Sequence, residues 1–147
     1  MTSQGYIPRD LSFDDDARQK LIQGITSISK AVKSTLGPLG KTVLIESADH
    51  LKGITITKDG VTVAQSVFLD DPIENLAIQM MKDAANRTAN TAGDGTTTAI
   101  VLTEALVKAG QGYIQKDTNV TEVIRHINKI TQDVIQGLEK HSKKVSS

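Results

Sequence analysis

Apolar residues recur at spacings of three and four along most of the chain, the period of helices that pack one face on a core. The first such stripe follows a predicted N-cap at Ser12 and consists of Ala17, Leu21, Ile25, Ile28, Val32 and Leu36. The second follows Asp71 and Pro72, which form a capped helix start, and consists of Ile73, Leu76, Ala77, Met80, Met81, Ala84 and Ala85. The last follows Asn119 and consists of Val120, Val123, Ile124, Ile127, Ile130, Val134 and Leu138.

The pattern changes between the first two helices. Gly37-Pro38 predicts the end of a helix, because glycine closes helices and proline cannot continue them. Residues 41–46 and Ile54–Thr57 are β-prone, and the second run alternates strictly, so a β-hairpin is predicted. A turn at residues 58–60 then leads into a short helix over 61–67. The predicted fold class is mainly α-helical with a small β-hairpin.

Composition excludes several classes of function. The 147 residues carry no net charge, with 17 basic and 17 acidic residues, so no partner nucleic acid or anionic membrane is indicated. Cysteine is absent, which excludes disulfides and thiolate metal sites. No segment is long and apolar enough to cross a bilayer, and no secretion signal is recognisable, so we expect a cytoplasmic protein.

The strongest chemical signal is the run Gly93-Asp94-Gly95 followed by Thr96, Thr97 and Thr98. Glycines let the backbone approach a ligand closely, and the N–H groups of a helix start attract phosphate. A carboxylate beside bound phosphate is the usual setting for Mg²⁺, which Asp94 would hold. The alternative is a helix start with an Asp cap and hydroxyl groups in its first turn. A helix after this run is apolar on most sides and is expected to lie at the centre of the domain.

Two further loops contain glycine. Residues 37–42 end in Gly-Lys-Thr like a Walker A loop, but Thr35 stands where the motif needs glycine, and the order helix–loop–strand is reversed. We therefore reject a P-loop. Lys58 and Asp59 offer a cation for phosphate charge and a carboxylate that could orient water, although a plain turn is the alternative. The spacing permits these loops to converge on one ligand without requiring it.

With all three loops considered, the chain resembles the N-terminal part of a group I (GroEL-type) chaperonin. The matching runs are residues 35–38, 56–61 and 92–99, in family order, and the similarity extends from about Phe13 to about Leu138. The resemblance implies an incomplete equatorial ATP-binding domain. It divides the chain into a flexible arm over 1–12, the N-terminal part of that domain over 13–140, and the start of an intermediate-domain connection over 141–147.

The resemblance also implies roles for individual residues. Asp94 would hold Mg²⁺, Asp59 would position the attacking water, and backbone carbonyls near Thr35 and Lys58 would line a K⁺ site. The residues expected to bind ATP are Thr35, Leu36, Gly37, Pro38, Lys58, Asp94, Gly95, Thr96, Thr97 and Thr98. The hairpin would pair with a neighbouring subunit, and Leu39 stands where the family usually has a basic residue.

The implied function is ATP-dependent protein folding by a self-assembled ring that encloses unfolded polypeptides, with a lid co-chaperonin as a candidate further partner. The family's second hydrolytic Asp and its client-binding domain would lie beyond Ser147, so little hydrolysis is expected from this chain alone. The loop at residues 48–53 also departs from the family. The alternative hypothesis is a non-catalytic module that assembles with complete subunits and regulates them.

Overall fold

The structure, a computed structural model, describes residues 11–46, 53–114, 117–143 and 145. Most of the predicted flexible arm and of the hairpin loop at residues 48–53 lies outside the described residues. The elements in order are α1 (Asp14–Lys33), β1 (Val43–Glu46), β2 (Ile54–Thr57), α2 (Gly60–Ser66), α3 (Pro72–Ala92), α4 (Thr96–Tyr113) and α5 (Val120–His141). The chain forms two compact units, Met1–Ala109 and Gly110–Ser147.

The core of the first unit forms where α1, α2 and α3 pack together. Gly24 of α1 lies so close to α3 that a Cβ there would sit 2.2 Å from the carbonyl oxygen of Glu74. The buried apolar side chains are Ile28, Val32, Val63, Ala64, Ala77, Ile78, Met81, Ala85 and Ile100. The predicted stripe of α1 is confirmed at Ile28 and Val32, but Leu36 lies beyond the end of the helix and is half exposed.

The predicted hairpin is confirmed. Strands β1 and β2 pair antiparallel, with Val43 opposite Thr57 and Glu46 opposite Ile54. Val43 and Ile45 pack against the core, whereas Leu44 on the other face is exposed. The alternation of β1 therefore places one face of the hairpin on the helices.

The predicted N-cap of α3 is confirmed, whereas that of α1 is wrong. Asp71 caps α3 by accepting hydrogen bonds from the N–H groups of Ile73 and Glu74, as predicted. Ser12 does not cap α1, because the cap position belongs to Phe13 and the Ser12 hydroxyl donates to the Asp16 carboxylate instead.

Helix α4 is not the central helix that its composition predicts. Its described buried residues are Thr96, Ile100 and Glu104, which recur every four positions and form one stripe. Leu102 and Leu106 are exposed. Apolar composition on most sides indicated full burial, but only the stripe facing the first unit's core is covered.

The second unit contains α5, whose predicted N-cap is confirmed because the Asn119 side chain accepts a hydrogen bond from the Glu122 N–H. None of the described residues of α5 is buried, so its apolar stripe is at least partly exposed along its length. Among the described residues, no helix combines the length and the apolar composition needed to span a membrane.

Candidate functional site

The three glycine-bearing segments meet at Gly60, the first residue of α2. A Cβ added to Gly60 would lie 2.1 Å from the hydroxyl oxygen of Thr97 and 3.3 Å from that of Thr35. Thr97 belongs to the first turn of α4, and Thr35 to the segment that follows α1. Only a residue without a side chain fits between these two hydroxyl groups. The structure thus brings together one residue from each segment that the sequence had singled out.

The other residues predicted to form the site belong to the same three segments. Each lies within three residues of Thr35, Gly60 or Thr97 along the chain: Leu36, Gly37, Pro38, Lys58, Asp59, Asp94, Gly95, Thr96 and Thr98. Their predicted contacts with ATP remain predictions.

The segment between α1 and β1 is held in a compact turn by its own backbone. The Thr35 N–H and hydroxyl both donate to the Val32 carbonyl, at 3.0 and 2.8 Å. Gly37 takes a φ of 78°, and Gly40 lies so close to the Thr35 carbonyl that a Cβ would sit 2.3 Å from its oxygen. The Lys41 N–H closes the turn by donating to the Ser34 carbonyl at 2.7 Å. The turn runs from helix to strand, which is the order that excludes a P-loop.

Asp59 is the N-cap of α2. Its carboxylate accepts hydrogen bonds from the Val61 N–H at 3.3 Å and from the Thr62 N–H and hydroxyl at 2.9 and 2.6 Å. The hydrogen bond from the Thr62 hydroxyl is the main cause that lowers the pKa of Asp59, and the backbone N–H groups add to it against a small opposing effect of burial. An ionised, oriented carboxylate therefore stands next to Gly60. The sequence left a plain turn as the alternative for this segment, and the structure shows that Asp59 caps a helix there.

The segment between α3 and α4 has two left-handed glycines, Gly93 at φ 75° and Gly95 at φ 86°. Gly93 ends α3, and its N–H donates to the Ala89 carbonyl at 2.8 Å. The exposed carboxylate of Asp94 accepts a hydrogen bond from the Gly95 N–H at 2.6 Å, which orients one of its oxygens. A non-glycine residue at either flanking position would be strained.

The start of α4 has the features of an anion site. The first backbone hydrogen bond of this helix runs from the Ala99 N–H to the Gly95 carbonyl at 2.9 Å. The N–H groups of Thr96, Thr97 and Thr98 precede it and so have no acceptor within the helix. Together with the positive end of the helix dipole, such groups favour a phosphate. Thr98 is exposed, whereas Thr96 is buried.

The carboxylates fit Mg²⁺ only in the presence of a further oxygen donor. Among the described residues, no group of three or more His, Asp or Glu side chains is arranged to hold a metal. Magnesium in nucleotide sites commonly takes one or two carboxylates and completes its shell with phosphate oxygens and water. Asp94 matches that pattern as a single exposed carboxylate three residues before Thr97.

An ion cluster around the buried carboxylate of Glu104 was not predicted from the sequence. Glu104 of α4 is buried, and its carboxylate accepts hydrogen bonds from Lys33 of α1 and, at 2.7 Å, from Lys108 of α4. Burial alone would raise the pKa of Glu104, but the hydrogen bonds from Lys108 and Lys33 outweigh it and hold the pKa below its usual value. The spacing of Glu104 and Lys108 resembles an ordinary surface pair. The one feature of the sequence that could have indicated burial of Glu104 is its position four residues after Ile100, on the same face of α4.

A second buried charge also escaped prediction. Lys82 of α3 is buried, and its ammonium group donates to the Gln65 carbonyl in the last turn of α2 at 2.9 Å. Burial lowers the pKa of Lys82. The cation at the carbonyl end of α2 interacts favourably with the helix dipole. The hydrogen bond from Lys82 joins α3 to α2, the helix that Asp59 caps and Gly60 begins.

Comparison with known proteins identifies the family. The model of the TCP-1/cpn60 chaperonin family matches residues 28–147, which is most of the chain. The chain belongs to the TCP-1/cpn60 chaperonin family. Members of this family are generally ATPases that assist protein folding and assemble into rings. The resemblance inferred from the three loops is therefore confirmed at the level of the family.

Solved chaperonin structures support the same assignment. This chaperonin chain is similar to the chaperonin gp146 from the bacteriophage EL 2 (Pseudomonas aeruginosa), crystallised in the presence of ATP-BeFx. In crystal form II the identity is 33% and the TM-score 0.78, over 90% of this chain and 22% of that one. In crystal form I the identity is 35% and the TM-score 0.73, over 90% of this chain and 23% of the phage chain. The chain thus spans less than a quarter of its relative, and its fold is that of an equatorial-type segment.

Proposed function

We propose that this chain supplies the phosphate-binding part of a Mg-ATP site in a protein-folding chaperonin subunit. The observation that carries the proposal is the junction at Gly60, where the segments containing Thr35, Asp59 and Thr97 come together. Membership of a family of ATPases and the similarity to a phage chaperonin crystallised in the presence of ATP-BeFx support it. The expected K⁺ site at the Thr35 and Lys58 carbonyls, the ring, the unfolded clients and the cytoplasmic location belong to the same proposal.

Different residues of the three segments would bind the phosphates, Mg²⁺ and the attacking water. The N–H groups at the start of α4 and the backbone around Thr35 to Pro38 would hold the phosphates, and Lys58 would offset part of their charge. Asp94 would hold Mg²⁺, which neutralises phosphate charge when bound. Asp59, ionised and fixed by Thr62, would orient the attacking water. Leu39 is exposed in the segment between α1 and β1, so this segment lacks a cation at that position.

Removal of the Asp94 carboxylate tests the proposal. In an isothermal titration of the 147-residue chain, Asp94→Ala should weaken Mg-ATP binding by roughly 10- to 100-fold, since loss of a charged partner costs about 1.5–3 kcal/mol. The matched control is Asp83→Asn, because Asp83 is an exposed acid of α3 outside the three segments. Equal affinity of the wild type and Asp94→Ala would contradict the role of Asp94. Failure of the wild type to bind Mg-ATP would contradict the proposed function itself.

The non-catalytic alternative is favoured by the exposed apolar side chains of the hairpin. Leu44, Ile54 and Ile56 are each about two-thirds exposed, at 65–67%. Exposed apolar patches commonly mark interaction sites. Size-exclusion chromatography of the chain with a full-length chaperonin partner separates the hypotheses. Co-elution of a variant that cannot bind Mg-ATP, with altered turnover by the partner, would favour a regulatory module.

A further inference from the structure

The ion cluster of Lys33, Glu104 and Lys108 links the two segments that carry the proposed phosphate contacts. Lys33 is the last residue of α1 and precedes Thr35 by two residues. Glu104 lies eight residues beyond Thr96 in α4, about 12 Å along the helix at 1.5 Å per residue. The ion pair between Lys33 and Glu104 therefore joins the start of the segment between α1 and β1 to α4, whose first turn contains the three threonines.

The cluster is asymmetric in exposure. The Glu104 side chain is 4% exposed, whereas those of Lys33 and Lys108 are 47% and 46% exposed. The carboxylate is thus fixed within the protein, and the two ammonium groups reach it from the surface. Because Lys108 and Glu104 are on the same helix, their contact cannot set the position of α4 relative to α1. The contact with Lys33 can.

Fold stability alone gives a weak reason for this arrangement. A buried ion pair carries a desolvation cost that its attraction only partly offsets, and an apolar residue of similar size commonly stabilises a fold as well or better. Glu104 stands on the stripe that contains Ile100, where a leucine would satisfy the core. What an ion pair adds is a constraint between two elements, since it is satisfied only while the Lys33 ammonium group stays within reach of the Glu104 carboxylate.

We propose that Glu104 is a positioning residue, which holds Lys33 so that the Thr35 segment and the first turn of α4 face the same phosphate group. The inference rests on the proposed function, and it names the contact that keeps the Thr35 segment aligned with the first turn of α4. Gly60 shows how closely they are set, because Thr35 and Thr97 leave no room for a Cβ between them. A small shift of α4 along α1 would open this junction and separate the phosphate contacts.

The test compares variants that break one contact each in the 147-residue chain. Glu104→Gln removes the charge that both lysines bind, and Lys33→Gln removes only the contact between the elements. Lys108→Gln is the matched control, because it breaks a contact with the same carboxylate inside α4. Lys33→Arg is the conservative variant that should restore the contact. Mg-ATP affinity is measured by isothermal titration well below each variant's melting temperature.

Loss of alignment should weaken binding without unfolding the chain. We expect Glu104→Gln and Lys33→Gln to raise the Kd for Mg-ATP by roughly 5- to 30-fold, the upper part of the range of coupling changes carried by residues without ligand contact. Lys108→Gln and Lys33→Arg should stay within about twofold of the wild type. If Glu104→Gln does not fold, the half-exposed Lys33 provides the deciding comparison. Equal Kd values for all folded variants would overturn the inference and leave the proposed function standing.

Amide hydrogen exchange without nucleotide separates this inference from the proposed function. If the wild type does not bind Mg-ATP, the proposed function fails, and exchange then decides the positioning role by itself. Lys33→Gln should speed exchange at residues 35–41 and 95–99 but not in β1 and β2, whereas Lys108→Gln should leave all of them unchanged. Identical exchange in Lys33→Gln and Lys108→Gln would overturn the inference.

Discussion

At the residue scale, Gly60 is a position where the absence of a side chain matters. Its freedom of φ is not the reason, since it begins an ordinary helix and does not take a positive φ. The reason is space, because the Thr97 hydroxyl occupies the position that a Cβ would need. Sequence inspection treated this glycine as part of a turn. The tertiary structure gives it a different role, as the contact point of three segments.

Gly60→Ala is expected to destabilise the chain by about 1–3 kcal/mol, the usual cost of overpacking, because Thr97 has to move away. The measurement is the free energy of unfolding in urea. Gly110→Ala is the control, since Gly110 lies in α4 with open space around it. Replacement of a helical glycine should be neutral or stabilise the helix by up to about 1 kcal/mol. Equal effects of the two substitutions would show that the junction at Gly60 is looser than described.

At the scale of elements, adjacent residues of α3 show how a helix face is selected. The sequence placed Met80 and Met81 together on the apolar face and predicted core filling for both. Met81 is 2% exposed within the core, whereas Met80 is 63% exposed. Ile78, which the predicted stripe omitted, is fully buried. The helical period was right, but the face that packs on α1 is rotated from the one that the apolar residues alone indicated.

The methionine pair provides a matched comparison on one helix. Met81→Ala should lower the free energy of unfolding by about 2–5 kcal/mol, because it leaves a cavity between α3 and its neighbours. Met80→Ala removes the same atoms from a mostly exposed site and should change it by less than about 0.5 kcal/mol. Thermal or urea unfolding monitored by circular dichroism measures both. A large cost at Met80 would mean that another surface covers this face in solution.

At the scale of the whole molecule, the chain is an equatorial-type segment that spans 22% of a phage chaperonin chain of the same family. Its proposed site is built from the first unit, Met1–Ala109, in which all three converging segments lie. The second unit is formed around α5, whose apolar residues remain at least partly exposed. The proposed phosphate contacts therefore lie within a single unit.

We expect the 147-residue chain to bind Mg-ATP but to hydrolyse it slowly. Asp59 is the one carboxylate predicted here to orient water, whereas the family resemblance implies two such carboxylates. A steady-state phosphate-release assay on the purified chain measures this turnover, with Asp59→Ala as the control for contaminating ATPases. Robust turnover by the wild type that Asp59→Ala abolishes would contradict the prediction and show that one carboxylate suffices.

Local sequence determined the elements and the family of this protein. The caps at Asp71 and Asn119 and the strand at Ile54–Thr57 depend on a few neighbouring residues, so turn chemistry and alternation were enough to predict them. The stop predicted at Gly37-Pro38 falls later than the observed end of α1 at Lys33. The three glycine motifs, read in order, indicated a chaperonin without any knowledge of their contacts. The roles of Asp59 and Asp94 in hydrolysis and in holding Mg²⁺ remain predictions from that resemblance.

Only the tertiary structure decided which faces are buried and which side chains meet. The contact of Lys33 with Glu104 joins residues 71 positions apart, and the junction of Thr35, Gly60 and Thr97 spans a similar distance along the chain. No local pattern encodes such contacts, because burial depends on what another element presents at that place. For the same reason α4, apolar on most sides, buries one stripe only. Periodicity is a property of a segment, whereas burial and charge pairing are properties of the packed unit.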